Sequence, residues 1–389
     1  MRDGWAVVRL SEIANRKTLK NLAKIDLVFT VSAQRGLITQ EEYFTKRVAS
    51  SNLTNYYVVQ PGDYVFNKSY SVDAPFGVIA KNTSTNPGLV SPLYIVFGAK
   101  REIIEQDFLG LALTSVIFWK SLEGSLKEGG RGHGALNLKV GDFFEALLPL
   151  PPIPEQKRIV DLISSVDSYI EALQQQLVSA KKSRNAVLHE LMTARGNDWV
   201  VRKLPEVVEV LDRMRKPINS TEREDRKGNI PYYGANGQTG WIDEFIFNEE
   251  LVLLGEDAID FADPSARKAY LIQGPSWVNN HAHVLRADKT IVNSYFLMES
   301  LNKVDYSQYV SFGTRSKLTQ ASMNGIKLLI PPMNIQKKFV DLLENFDKVI
   351  EATQRSIEDS KELRTGILSN LLSGEHEIPT SYDKFIGAA

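Results

Sequence analysis

The strongest constraint in this chain is a repeat. Residues 151–195 and 331–375 align without a gap at an offset of 180, and 16 of 45 positions are identical. The shared positions include both leading prolines, Gln156 and Gln336, Asp161 and Asp341, Asp167 and Asp347, and Arg184 and Arg364. Each copy reads as one long helix. Proline is tolerated at a helix start, where the first amides have no intrahelical partner, and none interrupts the first copy between Pro154 and Gly196. Apolar residues follow a 4-3 spacing: Ile159, Ile163, Val166, Ile170, Leu173 and Leu177, matched by Phe339, Leu343, Phe346, Ile350, Thr353 and Ile357. This is a heptad seam. Some 40 helical residues span about 60 Å. Two such helices in one chain are most simply paired with each other; the alternative is that each joins a separate bundle. Arg184 and Arg364 hold the one seam position that is polar in both copies. They either fix the register of the pair or reach past the seam to water.

The segments between the helices repeat more loosely. Asp3-Gly4-Trp5 through Ile13 resembles Asn197-Asp198-Trp199 through Val207, and each globular segment closes on an apolar run before its double proline. The chain therefore divides into a globule (1–150), a helix (151–196), a second globule (197–330), a second helix (331–375) and a tail (376–389). It stops just after the second repeat, as a completed pair of modules would. Short strand-like runs such as Tyr56–Val59 and Leu251–Leu254 alternate with turn signals, and helical stretches such as 108–122 and 293–301 are few. An α+β class is expected, with a mixed, largely antiparallel sheet in each globule. The globules start and end alike but differ in the middle, so two similar tasks on two different targets are expected.

Composition narrows the chemistry. The formal net charge is −1 and there is no cysteine, which excludes disulfides and thiolate metal sites. No apolar run approaches the ~20 residues of a membrane span, and no signal-peptide core opens the chain, so a cytoplasmic protein is expected. DNA binding, if present, has to come from local patches. No phosphate-binding Gly-Lys-Ser/Thr loop, metalloprotease His-Glu-x-x-His or Asn/Asp-Pro-Pro-Tyr/Phe motif occurs. His281 and His283 could share one strand face, but without a third ligand they read as hydrogen-bonded groups rather than a metal pair. A non-enzyme is expected, with no metal or cofactor bound by this chain. Two segments at equivalent places look like binding equipment: Gly129-Gly130-Arg131-Gly132-His133-Gly134 and Phe312-Gly313-Thr314-Arg315-Ser316-Lys317. Glycine admits close backbone approach, and the basic side chains supply donors for phosphate or base edges.

The arrangement resembles the specificity subunits of Type I restriction–modification enzymes, the HsdS family. The residues that carry the resemblance are Trp5 and Trp199 at the module openings, Pro61-Gly62-Asp63, Ile230-Pro231-Tyr232-Tyr233-Gly234-Ala235-Asn236-Gly237, Val278 through Leu285, and the helix entries at 150–157 and 330–337. It covers nearly the whole chain. One departure is Ile335, where the first copy has Glu155 in the family's Glu-Gln pair. The resemblance implies that each globule is a target-recognition domain reading one half of an asymmetric bipartite site on double-stranded DNA. It implies that the two helices pair antiparallel and set the spacing. It also implies two modification subunits that bind S-adenosylmethionine and methylate adenine, and room for a restriction subunit using ATP and Mg. The expected DNA contacts are Lys68, Tyr70, Arg131 and His133 in the first module. In the second they are Asn236, Gln238, Arg267, Lys268, Arg315 and Lys317. The competing reading is a coiled-coil tether whose globules bind protein or small ligands.

Overall fold

The computed structural model describes residues 4–44, 49–50, 52–68, 76–125, 138–193, 196, 198–310 and 316–386. It divides into two compact units. Unit 1 is Met1–Gln174 with Arg355–Ala389, and unit 2 is Gln175–Gln354. Each unit holds one globule and one end of each long helix.

Four helices matter below: α1 (Gln106–Ala112), α2 (Ile153–Thr193), α3 (Ser294–Asn302) and α4 (Met333–Ser373). The repeat helices α2 and α4 are 41 residues each. Their starts are built by the repeated glutamine. Gln156 and Gln336 are fully buried, and their amides donate to the Pro151 and Pro331 carbonyls, both at 2.8 Å. Their oxygens accept from the first backbone N–H of a globular helix, Glu105 at 2.7 Å before α1 and Asn293 at 2.8 Å before α3. One side chain thus ties the double proline to the N-cap of a second helix, and buried polar groups left without such partners are costly.

The seam arginines are both used to fix register. In unit 1 Arg364 is bonded through Nε and Nη2 to Asp167, the latter at 2.9 Å. In unit 2 Arg184 is bonded to Asp347 at 2.5 and 3.2 Å. Within each unit the start of one helix meets the end of the other, so the pairing is antiparallel. Mid-helix seam residues such as Leu173 and Leu177 are half-buried, whereas Ile159, Ile163, Phe339 and Leu343 are buried against the globules.

In unit 1 a four-stranded antiparallel sheet runs in the order Ala14–Lys17, Ile95–Ala99, Tyr64–Asn67, Val78–Lys81. A ribbon of Ala6–Arg9 with Leu147–Leu150 leads into α2. Unit 2 repeats the ribbon with Val200–Lys203 and Lys327–Ile330. Its antiparallel sheet has the order Val208–Val210, Ala282–Ala287, Leu251–Gly255, Ala269–Ile272. Leu251–Gly255 is buried throughout, as an unbroken apolar run in a central strand should be. A second sheet places Gly237–Ile242 against Ile230–Gly234, which pairs parallel with Pro275–Val278. The tail is docked in unit 1: the Tyr382 hydroxyl donates to Asp161 at 2.8 Å, and Arg158 meets Asp383 at 3.0 Å. The Trp5 indole N–H donates to Glu155 at 3.0 Å. Isoleucine at 335 cannot accept such a bond, which gives the sequence departure a physical meaning.

Candidate nucleic-acid interface

In unit 2 the hairpin of Ile230–Gly234 and Gly237–Ile242 turns through Ala235-Asn236, with Gly237 at φ +117°, a backbone region that suits glycine. The turn is braced from two sides. Asn236 donates to the Ala258 carbonyl at 2.9 Å, and the Tyr270 hydroxyl donates to the Gly234 carbonyl. A groove of about 600 Å³ opens beside it, lined by Tyr233, Asn236, Gln238, Asp260, Arg267 and Tyr270 among others. Asn236, Gln238 and Arg267 are exposed. Burial raises the pKa of both tyrosines, and the Tyr270 hydroxyl is spent on the Gly234 carbonyl. The chemistry suits base edges: Asn and Gln match adenine, Arg matches guanine, and a carboxylate accepts from cytosine.

Three expected contacts therefore converge on one groove. Lys268 does not join them. It is 2% exposed and its ammonium bonds the Asp263 carbonyl. It steadies its own loop, and burial lowers its pKa. Lys317 is exposed but paired with Glu256 at 2.9 Å. Tyr70, Arg131, His133 and Arg315 lie outside the described residues. Lys68, itself an expected contact, is half-buried and donates to the Leu138 carbonyl at 3.2 Å. Asp260 and Tyr270 escaped the sequence reading because only the basic pair Arg267-Lys268 and the Tyr-Gly-Ala-Asn-Gly motif carried a local signal, and neither points to an acidic or aromatic neighbour.

His283 is a structural group. It is buried, with Nδ1 2.6 Å from Asp212 and Nε2 2.8 Å from the Leu318 carbonyl. A carbonyl only accepts, so Nε2 carries a proton. Asp212 also accepts from the Val284 N–H at 2.9 Å. Burial opposes its ionisation, but the bonds from His283 and Val284 and the charge of Arg215 hold its pKa below the ordinary range. Glu256 is treated alike: burial is outweighed by Arg215 at 2.8 Å and by Lys317. His281 pairs instead with Asp257 at 2.7 Å. Among the described residues no His/Asp/Glu group is disposed to hold a metal.

Two modules of divergent interior, each closed by the same ribbon and carried on one end of each repeat helix, define a tandem recognition protein. The chain belongs to the family described as Type I restriction modification DNA specificity domain, which it matches over residues 2–181 and again over 196–359. The putative type I restriction enzyme specificity subunit S.HindORF215P of Haemophilus influenzae is 32% identical over 166 residues, covering 42% of this chain and 40% of that protein. The MjaVIII specificity subunit of Methanocaldococcus jannaschii is 23% identical over 328 residues, 74% of each chain. The putative MjaX specificity subunit of the same organism is 21% identical over 257 residues, 60% of each. The match thus spans from two fifths to three quarters of these relatives' lengths. The crystal structure of the Type I S subunit from M. genitalium superposes with a TM-score of 0.58 at 15% identity, covering 95% of this chain and 96% of that one. A chain from a study of type I R-M complex assembly gives 0.58 at 18%, covering 96% and 98%. At these identities the likeness establishes the fold. The role of the class is DNA sequence specificity, and no helix among the described residues is long and apolar enough to cross a membrane.

Proposed function

We propose that this chain selects the target of a Type I restriction–modification complex, with each unit reading one half of an asymmetric bipartite site on duplex DNA. The observation that carries the reading is the specificity-domain match over both units, joined to a groove where Asn236, Gln238 and Arg267 stand together. The chain supplies recognition and no catalysis. Adenine methylation falls to two modification subunits that bring S-adenosylmethionine; ATP and Mg enter with a restriction subunit where one joins. The repeat helices serve as spacer and as docking frame for those partners. Linking two short readings raises the effective concentration of the second once the first has bound. In unit 2 Arg267 reads guanine, and Asn236 or Gln238 reads adenine.

The test is adenine-methylation mapping in a host that carries the modification subunit, with and without this chain. A motif of two unlike blocks separated by unread bases, present only with the chain, is expected. A folded, competent modification subunit that leaves no such motif would overturn the reading and favour the tether.

A further inference from the structure

Each unit carries a groove at an equivalent place, and the two are lined by different chemistry. The Gln156 and Gln336 bonds place α1 in correspondence with α3; Phe108 with Phe296, Leu109 with Leu297 and Val116 with Val304 then match at one offset. In unit 1 a groove of about 550 Å³ lies between 114–117 and the last turns of α4. In unit 2 one of about 320 Å³ lies between 300–304 and the last turns of α2. Ser115 in the first corresponds to Lys303 in the second, and Ser369 to His189.

The ribbons beside the grooves diverge in the same sense. In unit 1 Arg9 stands opposite Leu147 and is paired with Glu145 at 2.9 Å. In unit 2 Lys203 stands directly opposite Lys327, with both side chains on one face. Directly opposed like charges weaken a two-stranded ribbon. Lys327, Lys303 and His189 all line the unit 2 groove, and no Asp or Glu is among its lining residues. A surface that gathers cations at a cost to its own ribbon is matched to an anion.

The cations also continue toward the readout groove. Asn302, at the end of α3, accepts from the Lys268 and Ala269 N–H groups at 2.8 and 2.9 Å. Arg267 reaches the same helix at Met298 Sδ, 3.3 Å away. Lys303 is therefore one residue beyond the side chain that holds the Arg267 segment. This continuity favours nucleic acid over an acidic protein. We propose that Lys203, Lys303 and Lys327 hold backbone phosphates of the duplex flanking the half-site read by unit 2. The inference rests on the DNA-specificity reading above. It makes the grip one-sided: Ser115 and Leu147 stand where unit 2 has Lys303 and Lys327, and the Arg9 that matches Lys203 and the Arg364 of the unit 1 groove are each paired with a carboxylate, Glu145 and Asp167.

The test substitutes Lys203→Gln, Lys303→Gln and Lys327→Gln together in the full chain, with thermal unfolding as a check on folding. Affinity is measured against salt with the modification subunits present, on duplexes carrying the mapped site and either a long or a trimmed flank beyond the unit 2 half-site. The slope of log K on log salt should become shallower by about 2–3, near 0.9 per phosphate lost, equally on matched and mismatched sites. Trimming the unit 2 flank should abolish that difference, and trimming the other flank should not. An unchanged slope overturns the inference. An unchanged slope with weakened modification-subunit binding overturns it too and reassigns the groove to an acidic protein surface. A wild-type complex that shows no preference for its mapped site would instead sink the specificity reading, and the slope comparison would still be readable.

Discussion

Leu138 and Leu318 occupy the same place in the two units, each just after a glycine- and arginine-bearing segment, and each carbonyl is held by a side chain. In unit 1 the donor is the half-buried Lys68, at 3.2 Å. In unit 2 it is His283, buried and gripped on its other nitrogen by Asp212. A lysine ammonium on a four-carbon stem turns freely; an imidazole between two acceptors does not. The same task is met loosely in one unit and rigidly in the other, and the seam arginines follow suit. Arg364 has Asp167, whereas Arg184 has Asp347 and also Glu299 of α3, at 2.5 Å. Both units pack repeat-helix residues into their apolar cores, Leu368, Leu371 and Leu372 in unit 1 and Leu188, Phe339 and Leu343 in unit 2; unit 2 adds the buried pair of Arg184 with Glu299.

The sharpest way to break this contrast is Asp212→Ala, which leaves the buried His283 without its carboxylate and Arg215 with Glu256 and backbone carbonyls alone. A loss of about 3–5 kcal/mol is expected, read as early loss of amide protection across 205–330 while 6–122 keeps its own. Arg184→Met should cost about 3 kcal/mol because Glu299, 5% exposed, loses its cation; Arg364→Met, at an exposed pair, should cost 1 kcal/mol or less. Equal losses in denaturant unfolding would show that the two seams are alike after all. Arg267→Ala should cost about 1–3 kcal/mol of discrimination at one base position, seen as a relaxed position in the methylated motif and confined to one block. If both blocks relax together, the groove is not a base reader.

Acid sharpens the comparison differently. Asp212 and Glu256 are held below the ordinary carboxylate range, so their stabilisation is complete only above about pH 5, clear of the unfolded carboxylate values. It is lost as pH falls through their depressed values. Unit 2 should lose amide protection progressively below about pH 5, and Asp212→Asn should remove much of that dependence. A similarly small effect is expected for Lys68→Met, which removes one half-buried hydrogen bond worth about 1 kcal/mol, measured by thermal unfolding.

The repeat made the helices, their pairing and the polar seam legible, because each is a local pattern of spacing. The partners of the seam were less so: Asp167 and Asp347 stood among the identical positions, yet only folding shows that each faces the other copy's arginine. Gln156 and Gln336 looked like helix-entry residues and proved to clamp a second helix. Arg267 and Lys268 read alike as neighbours in a basic pair. They differ because the Lys268 ammonium is drawn inward onto the Asp263 carbonyl while Arg267 stays exposed. The readout groove joins segments some 30 residues apart across two sheets, a non-local arrangement that no spacing rule encodes.

Unit 1 holds both the beginning and the end of the chain. Its core includes Ile159 and Ile163 and also Leu368, Leu371, Leu372 and Ile378. On the ribosome the module made first is therefore the module finished last. At about 5–20 residues per second, the core of unit 1 waits roughly 10–40 s after Gln174 emerges for its closing helix. Unit 2, whose sequence is contiguous from Gln175 to Gln354, can close before it.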